Sequence, residues 1–142
     1  MKRNGILFLC TGNSCRSQMA EGFARLFASP GREIHSAGIV AHGLNPRADA
    51  AMREIGIDIS SQKSKTLEAV PLDRIATLVT LCGHAKENCP NLSVNIKERI
   101  HWPLEDPATA RGTDEEVEAV FRRIREEIRR RIEELLGKNP HS

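Results

Sequence analysis

The sequence is poor in aromatic residues, and it lacks both long hydrophobic runs and a strong net charge. Its 142 residues include no tyrosine, one tryptophan and four phenylalanines, and the formal net charge is +2. This charge excludes a strongly basic nucleic-acid binder, because the arginines near the C-terminus alternate with glutamates instead of forming a basic face. The first apolar run covers only residues 6–10, too short for a signal peptide or a membrane span. We therefore expect a cytoplasmic monomer with no nucleic-acid or membrane partner.

Length and composition predict one globular domain over residues 1–142. Hydrophobic residues make up 39% of the chain and charged residues 28%, and we find no internal repeat or low-complexity segment. The chain has four cysteines. In the cytoplasm these are expected to be thiols at rest, so catalysis, redox chemistry or metal binding is favoured over a structural disulfide framework.

The hydrophobic pattern predicts an α/β fold in which strands alternate with helices. Continuous or short apolar runs predict four strands, at residues 6–10, 33–36, 76–82 and 99–102. In a parallel sheet, ligands bind beyond the carboxyl ends of the strands. Cys10 and Cys82 both stand at such ends.

Three helices are predicted between and after these strands. The first begins between Ser14 and Ser17, and the second opens at Asn45-Pro46 and stops at Gly56. The third is opened by a capping box made by Thr113 and Glu116.

The loop after the first strand has the composition of an oxyanion site with a nucleophile. Five residues separate Cys10 from Arg16, and the loop leads into a helix N-terminus, where backbone N–H groups and an arginine bind oxyanions and favour a thiolate. Gly12 can take the positive φ that a tight loop requires, and Asn13 tolerates it. We expect the Ser17 hydroxyl to donate to Cys10 or to the departing sulfur. The predicted oxyanion-binding residues are Thr11, Gly12, Asn13, Ser14, Cys15 and Arg16.

A purely structural interpretation of the same loop stays open. Small thiols are common in cores, so Cys10 is in that case a buried cysteine at a strand end and Arg16 a surface residue of the next helix. The predicted strand, the predicted helix and Ser17 favour the catalytic interpretation. For Cys15 we favour a structural role over a redox role, although its proximity to Cys10 leaves a protective disulfide open.

The segment CTGNSCRS, residues 10–17, resembles the active-site loop of the low-molecular-weight protein tyrosine phosphatase superfamily. The resemblance implies that Cys10 attacks the central atom of the oxyanion. It further implies that an aspartate of an Asp-Pro loop acts as general acid, and Asp106-Pro107 matches that element. If its loop folds over the Cys10 loop, Asp106 can protonate a leaving oxygen. Because Asp-Pro is also a common turn, a structural role for Asp106 is the alternative.

Two further cysteines, Cys82 and Cys89, exceed what a phosphatase needs. Arsenic(V) can leave as arsenic(III) with two extra electrons, whereas phosphorus cannot be reduced in this way under these conditions. A second thiol can therefore attack Cys10 and expel the reduced product, and a third can resolve the resulting disulfide by thiol exchange.

The chain as a whole is similar to the thioredoxin-coupled arsenate reductases built on the phosphatase fold. The matching segments are CTGNSCRSQMAEG at 10–22, SAGI at 36–39, HGLNP at 42–46, GIDIS at 56–60, VTLC at 79–82, NCP at 88–90 and EDPA at 105–108. The resemblance implies a single three-layer α/β domain with a four-stranded parallel sheet flanked by helices. It also implies arsenate as substrate, thioredoxin as reductant and no cofactor. The implied roles are Cys10 as nucleophile, Cys82 as second thiol, Cys89 as shuttle terminus, Arg16 as oxyanion clamp, Ser17 as thiolate donor and Asp106 as acid.

One departure from that family concerns a cation site. Some members bind potassium, and Asn13, Glu21 and Ser36 match three of the ligands. Where those members supply further ligands from a Thr-x-Asp segment, this chain has Lys63-Ser64-Lys65, and lysines do not ligate a cation. We therefore expect no metal, and our hypothesis is that Lys63 or Lys65 places an ammonium near Glu21.

Two alternative functions remain open from the sequence. The first is a low-molecular-weight tyrosine phosphatase, which commonly grips aryl substrates with aromatic side chains near the acid loop. The only candidate for that grip here is Trp102. The second is metal binding by Cys82, His84 and Cys89, although their spacing fits no regular zinc pattern. The remaining histidines, for which surface or structural roles are expected, are His35, His42, His101 and His141.

Overall fold

A computed structural model describes residues 4–82 and 96–137, and within these residues four parallel strands form one sheet. The strands are β1 (Gly5–Cys10), β2 (Ile34–Gly38), β3 (Ile75–Cys82) and β4 (Glu98–Leu104). Their order is β2-β1-β3-β4, so β1 and β3 are central. Because a central parallel strand is covered on both faces, every residue of β1 is buried, which accounts for its uninterrupted apolar sequence. The predicted parallel α/β sheet is confirmed.

The helices of the described residues are α1 (Arg16–Phe27), α2 (Pro46–Arg53) and α3 (Asp114–Leu136). They contact one another and pack on one face of the sheet around the main hydrophobic core. Two short 3-10 turns, Leu67–Ala69 and Leu72–Arg74, border a smaller apolar cluster on the opposite face. Helices, sheet and this covering segment make the three layers that were expected.

Three predicted boundaries differ from the structure. Strand β2 covers Ile34–Gly38 instead of residues 33–36. The second helix opens at Asn45-Pro46 as predicted, but it ends at Arg53 and passes into a turn in which Gly56 has φ 81°. The fourth strand continues through Pro103, which was expected to follow it. Since β4 is an edge strand, the missing N–H of Pro103 is tolerated there.

The strand register brings the carboxyl ends of all four strands to one edge. Cys10 pairs with Gly38 on one side of β1, while Leu9 pairs with Thr80 of β3 on the other. Cys82 in turn pairs with Leu104 of β4. The backbone positions of Cys10 and Cys82 therefore end neighbouring strands, as the sequence predicted. None of the helices in the two described ranges has the length and apolar character needed to cross a membrane.

Candidate active site

The loop between β1 and α1 lies over the carboxyl edge of the sheet and places Cys10 beneath a helix N-terminus. Cys10 is only 2% exposed. Helix α1 begins at Arg16 with no side chain capping its N-terminus and no acidic residue in its first turn. Its first N–H groups and the positive end of its dipole are therefore directed at the loop, with no carboxylate in the first turn of the helix to compete. An anion is the ligand that this end of the helix stabilises.

A neighbouring segment, residues 40–45, holds the loop from outside. The N–H groups of Val40, His42 and Asn45 donate to the carbonyls of Thr11, Gly12 and Ser14 at 3.1, 2.9 and 3.1 Å. In a trans peptide the N–H points opposite to the C=O. With these carbonyls turned outward, the N–H groups of the same peptide units face the other side of the loop. The segment thus orients the loop as an anion cradle.

Arg16 carries the positive charge of the site, and its guanidinium is held in place by backbone. It is 2% exposed, and Nη1 donates to the carbonyl oxygens of Leu81 and Leu104 at 3.0 and 2.9 Å. These carbonyls belong to the ends of β3 and β4, so the two strands fix the position of the arginine. A preset guanidinium loses little side-chain entropy when it binds an oxyanion.

Asp106 lies close to this arginine, as the proposed general acid must. Its Oδ2 is 3.7 Å from Arg16 Nη2, and its side chain is 32% exposed. The other carboxylate oxygen accepts from the N–H of Ala108 at 3.0 Å, and Thr109 Oγ1 donates to the Asp106 carbonyl at 2.8 Å. Arg123 of α3 pairs with the adjacent Glu105 at 2.8 Å. The acid loop is therefore braced on both sides of Asp106, with one carboxylate oxygen directed at the cradle.

The Cys10 sulfur is hydrogen-bonded to Ser17, and the direction of that bond follows from its neighbours. Sγ and Ser17 Oγ are 2.8 Å apart. Asn13 Nδ2 donates to the same Oγ at 2.8 Å, while Asn13 Oδ1 accepts from the N–H of Lys65 at 2.8 Å, which fixes the orientation of the amide. Because Ser17 Oγ accepts from Asn13, its own hydrogen is available for the sulfur. Ser17 is thus placed to donate its hydrogen to the Cys10 sulfur.

Asn13 extends this hydrogen-bonded chain away from the sulfur to a buried carboxylate. Its Nδ2 also donates to Ser36 Oγ at 3.0 Å, and Ser36 donates to Glu21 Oε1 at 2.5 Å. Glu21 is 3% exposed. Such a carboxylate must be paired, since an isolated charge is costly to bury.

Two cations pair with Glu21. Arg25 binds Oε2 at 2.7 Å, and Lys65 Nζ lies 3.8 Å from Oε1. Burial lowers the pKa of Lys65, although Glu21 partly opposes that effect. The hypothesis of an ammonium near Glu21 is confirmed for Lys65, whereas Lys63 contributes its carbonyl, which accepts from Lys65 Nζ at 2.8 Å.

A potassium ion does not fit beside Glu21, because the ammonium of Lys65 stands next to the carboxylate that would ligate it. Within residues 4–82 and 96–137, no three His, Cys, Asp or Glu side chains are grouped so that they could hold a metal ion.

Cys15 is buried in the same loop, and its thiol is held neutral. Burial raises its pKa to about 12, and the charge of Asp106 adds to this effect. A thiol with this pKa carries almost no thiolate at neutral pH. This chemistry agrees with a structural role and disfavours a redox role.

The positive φ in the loop belongs to Asn13, at 48°, one of the two residues for which the sequence allowed it. Asn13 tolerates this conformation because its short side chain forms local hydrogen bonds. The backbone of Cys82 ends β3 at the cradle edge, but its side chain, like the whole of Cys89 and His84, lies outside the described residues.

Aromatic side chains do not contribute to the rim of the site. Trp102, the candidate for gripping an aryl group, is 6% exposed and packs against Phe8 with ring centroids 6.1 Å apart. The other rings are buried as well. All five aromatic residues of the chain lie in the core: Phe8, Phe23, Phe27, Trp102 and Phe121.

His42 is the residue near the loop that the sequence analysis missed. A Cβ added at Gly12 would lie 2.6 Å from its Nδ1, so the imidazole stands directly against the loop. Its place in the matched segment HGLNP was the only signal in the sequence.

The amino-acid sequence is similar to a known phosphatase family and to arsenate reductases. A family profile described as low molecular weight phosphotyrosine protein phosphatase matches residues 5–140. An arsenate reductase of Halalkalibacterium halodurans is 56% identical over 132 residues, covering 93% of this chain and 94% of that protein. One from Bacillus subtilis is 51% identical over 134 residues, covering 94% and 96%.

Solved structures extend the comparison to the fold. An arsenate reductase in the phosphate binding state has a TM-score of 0.79 and 38% identity, covering 97% of this chain and 98% of that one. A thioredoxin-dependent arsenate reductase of Corynebacterium glutamicum has a TM-score of 0.69 and 29% identity, covering 94% of this chain and 60% of that one.

Proposed function

Because the chain belongs to the low molecular weight phosphotyrosine protein phosphatase family, and arsenate reductases match it over almost their whole length, we propose that it reduces arsenate to arsenite. One observation carries this proposal beyond the family. The anion cradle surrounds Cys10, and a second cysteine, Cys82, ends the strand paired with β1. A hydrolytic phosphatase has no use for a second thiol at that edge.

The first step joins Cys10 to arsenic. The thiolate, stabilised by Ser17, attacks arsenic(V) held by the loop N–H groups and Arg16, and an As–S bond forms. One hydroxyl of the arsenate accepts a proton, and its As–O bond breaks to release water. Asp106 is the donor, since its second carboxylate oxygen lies on the cradle side of its loop, paired with Arg16 at 3.7 Å. Arsenic is still in the +5 state at this point.

The second step is the reduction itself. The thiolate of Cys82 attacks the sulfur of Cys10 and forms an S–S bond, while the As–S bond breaks and its electron pair stays on arsenic. Arsenic leaves as arsenite in the +3 state, and the two thiols supply both electrons. In the third step Cys89 attacks Cys82, which releases Cys10 as a thiolate and leaves a Cys82–Cys89 disulfide.

Burial of Cys10 supports this relay. A residue that is 2% exposed beneath a loop admits a small oxyanion, but it does not admit a cysteine carried by another protein. The oxidation must therefore move to other thiols before a protein can reduce it. The reductant that we propose is thioredoxin, whose dithiol would reduce the Cys82–Cys89 disulfide, in the cytoplasm and with the enzyme as a monomer. The thioredoxin dependence of the Corynebacterium glutamicum enzyme is consistent with this choice.

Phosphatase activity is expected to be weak and residual. The cradle recognises tetrahedral oxygens and does not separate phosphate from arsenate, so a small aryl phosphate can still enter. However, the chain has no aromatic residue left to hold the aryl group, because all five are buried in the core. Without that apolar contact, an aryl ester gains little binding over the inorganic ion.

The proposal is tested by measuring arsenite release with thioredoxin, thioredoxin reductase and NADPH. The intact protein is expected to turn over continuously, and Cys89→Ser to stop after one arsenite per enzyme. Cys82→Ser should release none, because Cys10 then has no attacking thiol. If all three proteins fail to reduce arsenate but hydrolyse an aryl phosphate equally well, the chain is a phosphatase and its extra cysteines are incidental.

A further inference from the structure

The glycine of the anion cradle does not have the conformation that usually requires glycine. Gly12 is absent from the residues with positive φ, and its neighbour Asn13 takes that conformation instead. A side chain at position 12 would instead require the exposed His42 side chain to shift. An added Cβ would lie 2.6 Å from His42 Nδ1 and 3.1 Å from its Cγ, well inside van der Waals separation. The space beside the Gly12 Cα is thus taken by an imidazole ring.

The backbone of His42 is also fixed to the loop. Its N–H donates to the Gly12 carbonyl at 2.9 Å, and the neighbouring Val40 and Asn45 make the equivalent bonds to the loop. The ring and the main chain of one residue therefore hold Gly12 from two directions. Glycine has the largest backbone freedom of all residues, so a neighbour that restricts it has more effect here than elsewhere in the loop.

We propose that His42 is a positioning residue, whose imidazole packs beside Gly12 and helps to keep the loop in the conformation that binds the oxyanion. The inference rests on the proposed function only in assigning the oxyanion to this loop. Because the contact acts on the shape of the cradle and not on the sulfur, its loss should weaken oxyanion binding more than the chemical step. The consequence is a higher KM for arsenate with a kcat that changes little.

The first experiment measures binding of inorganic phosphate by calorimetric titration, so it does not depend on arsenate being reduced. His42→Ala should raise the Kd about tenfold, because an unrestrained loop must be ordered on binding. His42→Asn keeps a planar polar group beside Gly12 and should bind within about twofold of the intact protein. His35→Ala is the matched control, since His35 lies on β2 and contacts Glu33 instead of the loop. It should bind like the intact protein.

A double variant tests the contact itself. Gly12→Ala should weaken phosphate binding more than His42→Ala does, and Gly12→Ala with His42→Ala should bind more tightly than Gly12→Ala alone. Independent effects would instead make the double variant the weakest of the three. If the double variant is the weakest, or if His42→Ala binds phosphate normally, the proposal is overturned. Should Gly12→Ala not fold, the comparison of His42→Ala with His42→Asn decides the question.

Steady-state kinetics then separate this proposal from the proposed function. A rise in KM for arsenate confined to His42→Ala supports the positioning role, and an equal fall of kcat in both His42 variants contradicts it. If the intact protein binds phosphate but releases no arsenite, the proposed function fails, and the phosphate affinities still decide the role of His42.

Discussion

Lys65 offers a test of how the buried carboxylate beneath the cradle is neutralised. Its ammonium lies 3.8 Å from Glu21 Oε1, and Glu21 is linked through Ser36 and Asn13 to the serine that contacts the nucleophile. The substitution Lys65→Met removes the charge and keeps most of the side-chain volume. It leaves Glu21 with Arg25 as its cationic partner.

The size of the effect follows from competing terms. At 3.8 Å and an effective dielectric constant of about 20, the attraction is about 4 kcal/mol before desolvation. Burial of the ammonium offsets much of this, as the lowered pKa of Lys65 shows. Losing one partner of a fully buried pair costs about 3–5 kcal/mol, but here Arg25 remains, so we expect Lys65→Met to reduce the free energy of unfolding by about 1–2 kcal/mol.

Urea unfolding of the intact protein and of the variant measures this difference directly. Lys63→Met is a matched control, because Lys63 is exposed and only its backbone carbonyl contacts Lys65. That variant should unfold like the intact protein.

Arsenite release should be equal in sodium and potassium buffers for the intact protein, since the ammonium occupies the place of a cation. If potassium strongly raises the activity of the intact protein, or if the two lysine variants are equally stable, the reasoning about Lys65 is refuted.

Three further predictions concern the thiols and the surface. Ser17→Ala should lower kcat for arsenite release about tenfold to a hundredfold, because it removes the donor to Cys10. The first arsenite formed before the steady state should appear more slowly by the same factor. An unchanged rate for this first arsenite would show that the hydroxyl is not used. Iodoacetamide at pH 8 should leave Cys15 unmodified in the folded protein and label it in urea, because its pKa of about 12 keeps it protonated, and peptide mass spectrometry detects the label. Hydrogen bonds from Arg122 and Arg125 lower the pKa of Glu54 to about 2, so its stabilisation is full above its ordinary pKa of 4.5 and is lost as the pH falls towards 2. Glu54→Gln should therefore have a lower Tm than the intact protein at pH 7, and this difference should shrink as the pH falls from 4.5 towards 2. A difference in Tm that does not depend on pH would contradict the role of these hydrogen bonds.

The sequence predicted those parts of the molecule that depend on local pattern. Continuous apolar runs located β1 and β3, and the capping box of Thr113 located the start of α3, because each signal lies within a few neighbouring residues. The end of α2 was misplaced by three residues, since Gly56 marks the turn after the helix and not its last residue.

The site was predictable where it lies in one loop, and less so where it depends on contacts across the fold. Cys10, Arg16 and Ser17 all lie within residues 10–17, and that spacing is what predicts their roles. The contact of His42 with Gly12 joins residues 30 positions apart, and Lys65 reaches Glu21 over 44. The sequence limited the candidates for the ammonium near Glu21 to Lys63 and Lys65. Only the structure shows that Lys65 is the one that points inward.

The scarcity of aromatic residues has a functional meaning only once their positions are known. Five rings are few for 142 residues, and all of them pack in the core, where Phe8 and Trp102 join β1 to the edge strand β4. None is left for the rim, and the segments outside the described residues contain no phenylalanine, tryptophan or tyrosine. Under the proposed function, selectivity then rests on the cradle, which binds a tetrahedral anion by its charge and size and has no aromatic side chain beside it. An inorganic oxyanion has no ester group, so its binding does not depend on an aromatic contact that this site lacks.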